Sequence, residues 1–326
     1  MLTTSVPAHL PALLRKALGS RWEHTTDGDH LEIRHRDRGS PYHPPRRAPT
    51  WPEFLAMIEK AFAAQGVPRA PCLPLRWGRQ TELTISAVQA LDPLLKDGRP
   101  VTHRRGFLPQ PVVRFTGQRD ADGVLRDGFL TSFVNVSRVE PIQDIAEYAT
   151  ILDEWLTVLS RLGLHARHIS VHGRLTVWRR HEVEGITLRF RHADLPLGDI
   201  VLLWNATNPA LMAVDLGTAL ERLAWARSRQ PWRDLIFGRW TRTAPPNVLD
   251  ALRTATLLLG NGITPTARGA GSIARRVLAT VPADHSPFGF SAAIRAHHEF
   301  WSAVTALPVP WPEATRVLEA ELGVQH

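Results

Sequence analysis

The chain has 326 residues, 44% of them hydrophobic and 21% charged, which is the composition of a globular protein with one large or two smaller domains. Its single cysteine, Cys72, excludes an intramolecular disulfide and a cysteine zinc cluster, and no apolar run is long enough to span a bilayer. The net charge of +8 favours an anionic partner such as a nucleic acid or a nucleotide. Because the N-terminus has no basic start followed by an apolar stretch, we expect a cytoplasmic protein with no membrane partner.

The first fifty residues differ in composition from the rest. A short helix is predicted over 8–18, and a polar tract rich in histidine, arginine and proline follows it to Arg47. This composition predicts that residues 1–50 form an N-terminal extension or linker. From Trp51 onward, apolar residues at helical spacing predict a helix over 52–65 and another from about 84 to 96.

The middle of the chain is rich in predicted strands. Two β-rich runs, 111–116 and 128–137, flank a polar loop with the sequence GQRDADGVLRD and predict a long antiparallel hairpin. After an amphipathic helix over 142–163, short strands are predicted at 168–172, 186–191, 199–204 and 211–215. The last strand is predicted to pass into a helix over 217–227.

Beyond Pro245-Pro246 the pattern is purely helical, with helices predicted near 247–260, 271–281, 287–304 and 311–322. The order of elements predicts an α+β fold, with an antiparallel sheet flanked by helices and an all-α region after it. We therefore expect the α+β domain at 51–243 and a helical domain at 244–326.

The segment 211–222 places a carboxylate and a guanidinium group close together. Asp215 is predicted to end an apolar strand, Gly217 to let the chain turn, and Arg222 to lie one turn into the following helix. An arginine in this position can hold the terminal phosphates of a triphosphate. The alternative is a surface pair of Glu221 and Arg222 on an ordinary helix.

The predicted hairpin carries a second such feature. Arg114 lies within an apolar strand, where side chains alternate between the two faces, and a buried arginine needs an anion. Phe133 on the opposing strand has a ring on which a flat base can stack. The alternatives are a solvated arginine on an edge strand and an ordinary core phenylalanine.

These features together resemble the motifs of class II aminoacyl-tRNA synthetases. Their motif 2 is a strand arginine, a long loop and a returning strand with a phenylalanine, and their motif 3 is a strand and helix with an arginine. The sequence VDLGTALER at 214–222 is similar to V-D-T-G-x-G-L-E-R of the alanyl-tRNA synthetases, and Trp204-Asn205 to their tryptophan-asparagine pair. The blocks DALR at 250–253, NGITP at 261–265 and ARR at 274–276 follow in that family's order.

The resemblance, which covers roughly 51–281, implies a class II synthetase-like fold and an enzyme that uses ATP and Mg²⁺ to activate a small amino acid. Arg114 would bind the α-phosphate, Arg222 the γ-phosphate and Phe133 the adenine, while Asp215 would pair with the ammonium group of the amino acid. The residues implied to line the amino-acid pocket are Trp178, Asn205 and Ala206. Those implied to contact an acceptor such as tRNA are Arg253, Arg268, Arg275 and Arg276.

The sequence departs from the family pattern near the phosphates. The motif 2 loop lacks the family's lysine, and Leu188 and Leu202 stand where the family has acidic residues near the metal-bound phosphates. Because Mg²⁺ requires oxygen ligands, we expect a replacement ligand elsewhere. The candidates are Glu182, Glu184, Asp194 and Asp199.

The sequence also departs from the family in the residues that bind the acceptor. Ala267 replaces the asparagine that reads the alanine tRNA acceptor stem, and no editing domain is predicted. One hypothesis is a ligase that transfers the activated amino acid to tRNA, a carrier protein or a small molecule of specialised metabolism. The other is a pseudo-synthetase that binds tRNA or aminoacyl-tRNA, as a regulator or as a transferase without ATP activation. Unrelated α+β proteins with chance matches also remain open.

Overall fold

The computed structural model describes residues 6–78, 81–103, 105–281 and 290–323, which form nine strands, ten α-helices and three short 3-10 helices. The strands are β1 (Trp22–Asp27), β2 (His30–His35), β3 (Phe107–Val113), β4 (Ser132–Ile142), β5 (Ile169–Arg174), β6 (Trp178–Arg180), β7 (Val183–His192), β8 (Leu195–Asn205) and β9 (Met212–Ala219). The α-helices are α1 (Val6–Leu18), α2 (Trp51–Ala63), α3 (Asp92–Asp97), α4 (Ile145–Arg161), α5 (Leu220–Ser228), α6 (Trp232–Phe237), α7 (Pro246–Gly260), α8 (Gly269–Leu278), α9 (Phe290–Val304) and α10 (Trp311–Leu322).

All nine strands belong to one sheet. Its order is β1-β2-β5-β7-β8-β9-β4-β3, and β6 pairs with β7 off this path. In this order, each strand from β1 across to β4 runs antiparallel to its neighbours. The predicted α+β class, with an antiparallel sheet and helices, is therefore confirmed at this level.

The chain divides into two compact units, and neither is continuous in sequence. Unit 1 comprises Met1–Leu73, Ala87–Pro109 and Asn135–Arg229, and unit 2 comprises Pro74–Ser86, Gln110–Val134 and Gln230–His326. These units do not coincide with the domains predicted at 51–243 and 244–326. Unit 2 takes in the hairpin loop as well as the C-terminal helices.

Unit 1 is built on a sheet with one mainly apolar face. Alternate residues of the central strands, including Leu188, Ile200 and Leu216, point to this face and are almost completely buried. Helix α4 covers them with its own apolar side: Trp155 contacts Phe190 edge to face, with ring centroids 5.7 Å apart. The N-terminus of α4 is stabilised by Asp144, whose carboxylate accepts hydrogen bonds from two backbone N–H groups of its first turn.

The predicted N-terminal extension is part of this unit. Helix α1 buries Leu10 and Leu14 completely, and β2 buries Leu31 and Ile33 and pairs with β5 in the sheet. The prediction of an extension or linker over 1–50 is therefore wrong for 6–35. The composition was misleading because an edge hairpin needs only two apolar side chains on its inner face.

The strand that carries Asp215 also differs from its prediction. It continues through Gly217 to Ala219, and helix α5 begins only at Leu220, so Asp215 lies inside the strand. Gly217 does not turn the chain. A Cβ atom at Gly198 on the neighbouring strand would overlap the carbonyl oxygen of Gly217, so glycine here permits close approach of two strands.

The hairpin strand before Arg114 ends earlier than predicted. Strand β3 ends at Val113, so Arg114 follows the strand, whereas Phe133 lies within β4 as predicted. The backbone N–H of Arg114 still donates to the carbonyl of Thr131, which keeps the two chain segments paired at this level.

Unit 2 is mainly helical. Helix α7 is a central helix, buried along nearly its whole length, and its buried residues include the polar Asp250, Arg253 and Thr254. The four predicted C-terminal helices are confirmed as α7 to α10, whereas the six-residue α6 was not predicted. No helix in the described part of the chain is long and apolar enough to cross a membrane.

Candidate functional site

On the sheet face of unit 1 opposite the one that α4 covers, polar side chains form one row beside buried apolar residues of a second core cluster, which include Val139, Val201 and Ala213. The pairing of β4, β9, β8, β7 and β5 sets one residue from each strand side by side in a single row. Because paired residues point to the same face, this row forms a continuous polar strip, here called the polar face. The row consists of Ser137, Gly217, Asp199, Arg189 and His172.

Asp215 lies on the polar face, one position away from this row. It is half-buried, and its paired neighbours are Val139 on β4 and Val201 on β8. A Cβ atom built on Gly217 would lie 3.9 Å from the Oδ1 atom of Asp215, so no side chain at this position covers the carboxylate.

Trp178 forms part of the same face. Its side chain is 36% exposed, its Nε1 donates to the Thr187 hydroxyl at 2.9 Å, and its ring lies over Gly185. Thr187 pairs with Val201, which pairs with Asp215. Thr187 and Asp215 are therefore two strand spacings apart, or about 10 Å. The structure places the predicted pocket residue Trp178 on the face that carries Asp215.

Asn205 has a different environment from the one expected of a ligand-binding side chain. It is buried, its Nδ2 donates to the Leu95 carbonyl at 2.7 Å, and its Oδ1 accepts bonds from Thr207 and Asn208. These bonds fix the turn between β8 and β9, as asparagine commonly does. Ala206 follows in this turn and is half-exposed. A contact from the Asn205 amide to an amino acid would require bonds of this turn to break.

Arg222 lies in the first turn of α5, three residues after the end of β9. It is half-buried, whereas the neighbouring Glu221 is fully buried. The position of this arginine early in a helix, close in sequence to Asp215, is as predicted. Asp215 and Arg222 both belong to unit 1.

Arg114 and Phe133 lie together in unit 2. The guanidinium carbon of Arg114 is 5.4 Å from the centre of the Phe133 ring, and the Nε and Nη2 atoms donate to the Ile85 carbonyl. This distance is within the range of a cation–π interaction. Because these residues and Arg222 belong to different units, the predicted meeting of the two arginines at one nucleotide stays a prediction.

Arg253 was predicted to contact an acceptor, and this prediction is wrong. The side chain is 1% exposed, and its guanidinium carbon lies 4.1 Å from the Phe300 ring centre and 4.6 Å from that of Trp301. Its Nε donates to the Ser132 carbonyl at 3.3 Å. Arg253 is a core residue. The other arginines predicted to contact an acceptor are exposed: Arg268, Arg275 and Arg276.

The two leucines at the family's acidic positions belong to the core. Leu188 and Leu202 are fully buried on the helix-covered face. Any metal ligand in unit 1 therefore comes from other positions. A shift of two residues along either strand would stay on the same helix-covered face, because side chains alternate between faces.

Of the four candidate replacement ligands, Asp199 is the one on the polar face with Asp215. Glu184 accepts a bond from Trp204 Nε1 on the opposite side of the sheet, and Arg229 holds the pKa of Asp194 below its usual range by hydrogen bonding. Glu182 is exposed next to β7. Among the described residues there is no cluster of three or more metal-binding side chains. Mg²⁺ commonly needs only one or two carboxylates together with substrate phosphates, and Asp199 matches that requirement.

Comparison with known proteins does not identify a family. No protein-family model matches the chain, and no curated protein shows significant sequence similarity to it.

Proposed function

We propose that this chain is an ATP-dependent ligase that activates a small amino acid as its aminoacyl-adenylate. The activated amino acid then passes to an acceptor, which is a tRNA, a carrier protein or a small molecule. The proposal is supported above all by the polar face of unit 1, where Asp215 lies beside Gly217, which has no side chain, and shares its face with Trp178.

The amino acid is held through its ammonium group in this proposal. The Asp215 carboxylate pairs with that group, because a charge-assisted hydrogen bond at a half-buried position is stronger than a neutral one. Val139 and Val201 flank Asp215, and Trp178 forms a wall about two strands away.

The chemistry consists of positioning and charge stabilisation. An oxygen of the amino-acid carboxylate attacks the α-phosphorus of ATP, the bond to the leaving pyrophosphate breaks, and the adenylate remains bound. Arg222 is proposed to hold the leaving phosphates. The roles of Arg114 and Phe133 at the α-phosphate and adenine stay predictions from the resemblance. Bound Mg²⁺ would neutralise phosphate charge, and Asp199 is the side chain of the polar face that would hold it.

Amino-acid-dependent exchange of labelled pyrophosphate into ATP tests this proposal. The wild-type chain is expected to support exchange with at least one small amino acid among the twenty. Asp215→Asn is expected to lower kcat/KM roughly 10- to 100-fold, since a hydrogen bond to a charged group contributes about 1.5–3 kcal/mol. The matched control is Asp37→Asn, at an exposed carboxylate elsewhere in the same unit, which should leave exchange unchanged. Absence of exchange with every amino acid would refute the ligase.

A binding protein is the second candidate, and the exposed arginines of unit 2 favour it. Arg268, Arg275 and Arg276 are all solvent-accessible, and the net charge of the chain is +8. A pseudo-synthetase would bind tRNA with an affinity that falls steeply as salt is raised, because phosphate contacts release counterions. Such binding without pyrophosphate exchange would establish this second function in place of the first.

A further inference from the structure

Unit 2 contains an open cavity of about 170 Å³ that the proposed ligase chemistry does not use. Its lining comes from the loop after β3 and from helices α7 and α8. The side chains that define it are Phe115, Arg119, Asp250, Thr254 and Arg276.

The interior of the cavity carries a carboxylate. Asp250 is only 6% exposed, and its Oδ1 accepts a hydrogen bond from the Thr131 backbone N–H at 3.0 Å. The Thr131 side chain also donates to it, and burial raises the pKa of the carboxyl above its usual value. A carboxylate has about four acceptor positions, so Thr131 leaves acceptor capacity on a side chain that is poorly solvated. A ligand with N–H donors would relieve that loss of solvation.

The rim of the cavity has the opposite charge and a planar surface. Phe115 is 42% exposed, and the guanidinium carbon of Arg276 lies 4.5 Å from the centre of its ring. Arg119, whose Nη1 donates to the Gly123 carbonyl at 2.7 Å, adds a second positive charge. An aromatic ring beside a guanidinium plane is a surface on which a flat heterocycle stacks.

This distribution of charge restricts the ligand. A simple cation is repelled by the two arginines at the rim, and a simple anion is repelled by Asp250 inside. A ligand compatible with the positive rim and the negative interior has a neutral ring with N–H donors inside the cavity and a negative group outside it. An enclosed cavity of about 150 Å³ binds benzene, so this open one has room for most of a heterocyclic base.

We infer that this cavity binds the guanine base of a nucleotide, with Asp250 accepting from its N1–H and N2–H groups and its phosphate near Arg119 and Arg276. Guanine fits because its pairing edge presents two adjacent donors. Adenine and cytosine present one donor beside an acceptor, and a carboxylate repels that acceptor. The base belongs either to a free nucleotide or to a nucleic-acid strand, since both offer the same ring and phosphate.

Calorimetric titration of the full chain with mononucleotides tests the inference. GMP is expected to bind roughly 10-fold or more tightly than AMP or CMP, since a good bidentate pair discriminates by about 1–3 kcal/mol. Titration with a short RNA ending in guanosine, and with the same RNA ending in adenosine, separates the two sources of the base. Failure of both GMP and the guanosine-ended RNA to bind, or equal binding of all bases, overturns the inference.

Two variants separate recognition from folding. Asp250→Asn replaces one acceptor oxygen with a donor, so GMP affinity should fall roughly 10-fold or more while XMP, whose edge has a donor beside an acceptor, gains affinity. If Asp250 had only a structural role, the variant would lose affinity for GMP and XMP alike.

Phe115→Ala should weaken GMP binding roughly 10-fold, since base stacking contributes about 1–3 kcal/mol. The control is Ile85→Ala, at another exposed apolar residue of unit 2 that does not line the cavity. An equal loss of GMP affinity in both variants overturns the stacking role.

Discussion

Two glycines on adjacent strands of unit 1 have different spatial roles. Gly198 packs against the backbone of Gly217, whereas a Cβ atom on Gly217 would enter the polar face and meet Asn135 Nδ2 at 3.3 Å and Ser137 Oγ at 3.6 Å. The first glycine is needed so that β8 and β9 pair closely. At the second, no side chain covers the Asp215 carboxylate.

We therefore predict different effects of the same substitution at these positions. Gly198→Ala should lower the free energy of unfolding by about 1–3 kcal/mol or more, because the added methyl group overlaps backbone. Gly217→Ala should change stability by less than about 1 kcal/mol but raise KM for the amino acid in pyrophosphate exchange. Urea unfolding and exchange kinetics measure the two effects. An unchanged KM for Gly217→Ala would place the amino acid elsewhere.

The carboxyl group of Asp250 gives unit 2 a pH-dependent stability. Burial raises its pKa in the folded protein above the unfolded value, so the folded state holds its proton to higher pH. Stability therefore decreases as pH rises from the unfolded pKa to the folded pKa, and the cost is complete above that window. An asparagine keeps an oxygen that can accept from Thr131 and carries no such cost.

Asp250→Asn should accordingly raise the melting temperature at pH 7, and the gain should disappear as pH falls below about 4, where the carboxyl is protonated in both states. Calorimetric melting of the wild type and the variant between pH 4 and pH 8 measures this. A difference in melting temperature that does not change with pH would show that the charge of Asp250 has no part in it.

At the scale of elements, the packing of α7 against α9 depends on a buried cation. Arg253 of α7 lies against two aromatic rings of α9, and the Trp301 indole N–H donates back to the Arg253 carbonyl at 3.1 Å. Arg253 thus occupies a central position of this helix pair that an apolar side chain would usually fill.

Replacing Arg253 by methionine should lower the free energy of unfolding by about 2–3 kcal/mol, from lost cation–π contacts and a lost hydrogen bond. Arg268→Met is the control, because this arginine is exposed and such substitutions usually change stability by less than about 0.5 kcal/mol. Denaturant unfolding compares the two. Equal stability of both variants would contradict the structural role of Arg253.

Some helices and strands could be predicted from the sequence and others could not. Helices α2, α4 and α7 to α10 were predictable because each repeats apolar residues over about three turns or more. Strands β1 and β2 were missed because few of their residues are apolar, although Asp27-Gly28-Asp29 between them is a hairpin signal. Gly28 has the positive φ, +57°, that such a turn requires.

The candidate site was predictable in part for a related reason. Asp215 and Trp178 were chosen from sequence, but their common face with Asp199 is set by strand register, which no local pattern records. Arg253 was misassigned because a helical arginine with an apolar environment has the same local sequence as an exposed one. Burial of this kind depends on a partner helix almost fifty residues later.

At the scale of the whole molecule, the chain passes between the two units several times. Unit 2 needs 74–86 and 110–134 as well as its C-terminal part. The hairpin segment supplies specific contacts to α7: the Thr131 N–H donates to Asp250, and the Ser132 oxygens accept from Arg253 and Thr254. The C-terminal helices therefore rely on residues more than a hundred positions earlier.

The C-terminal fragment 230–326 should consequently not fold by itself, in contrast to the independent helical domain that the sequence predicts. Without 110–134 it leaves the Asp250 carboxylate, the Arg253 guanidinium and the Thr254 hydroxyl without their partners from that segment, and unpaired buried groups cost about 1–3 kcal/mol each or more when charged. Circular dichroism of the fragment should show reduced helix content and no cooperative thermal transition, whereas the full chain should melt cooperatively. A sharp transition in the isolated fragment would show that these contacts are dispensable and that the helices form a domain of their own.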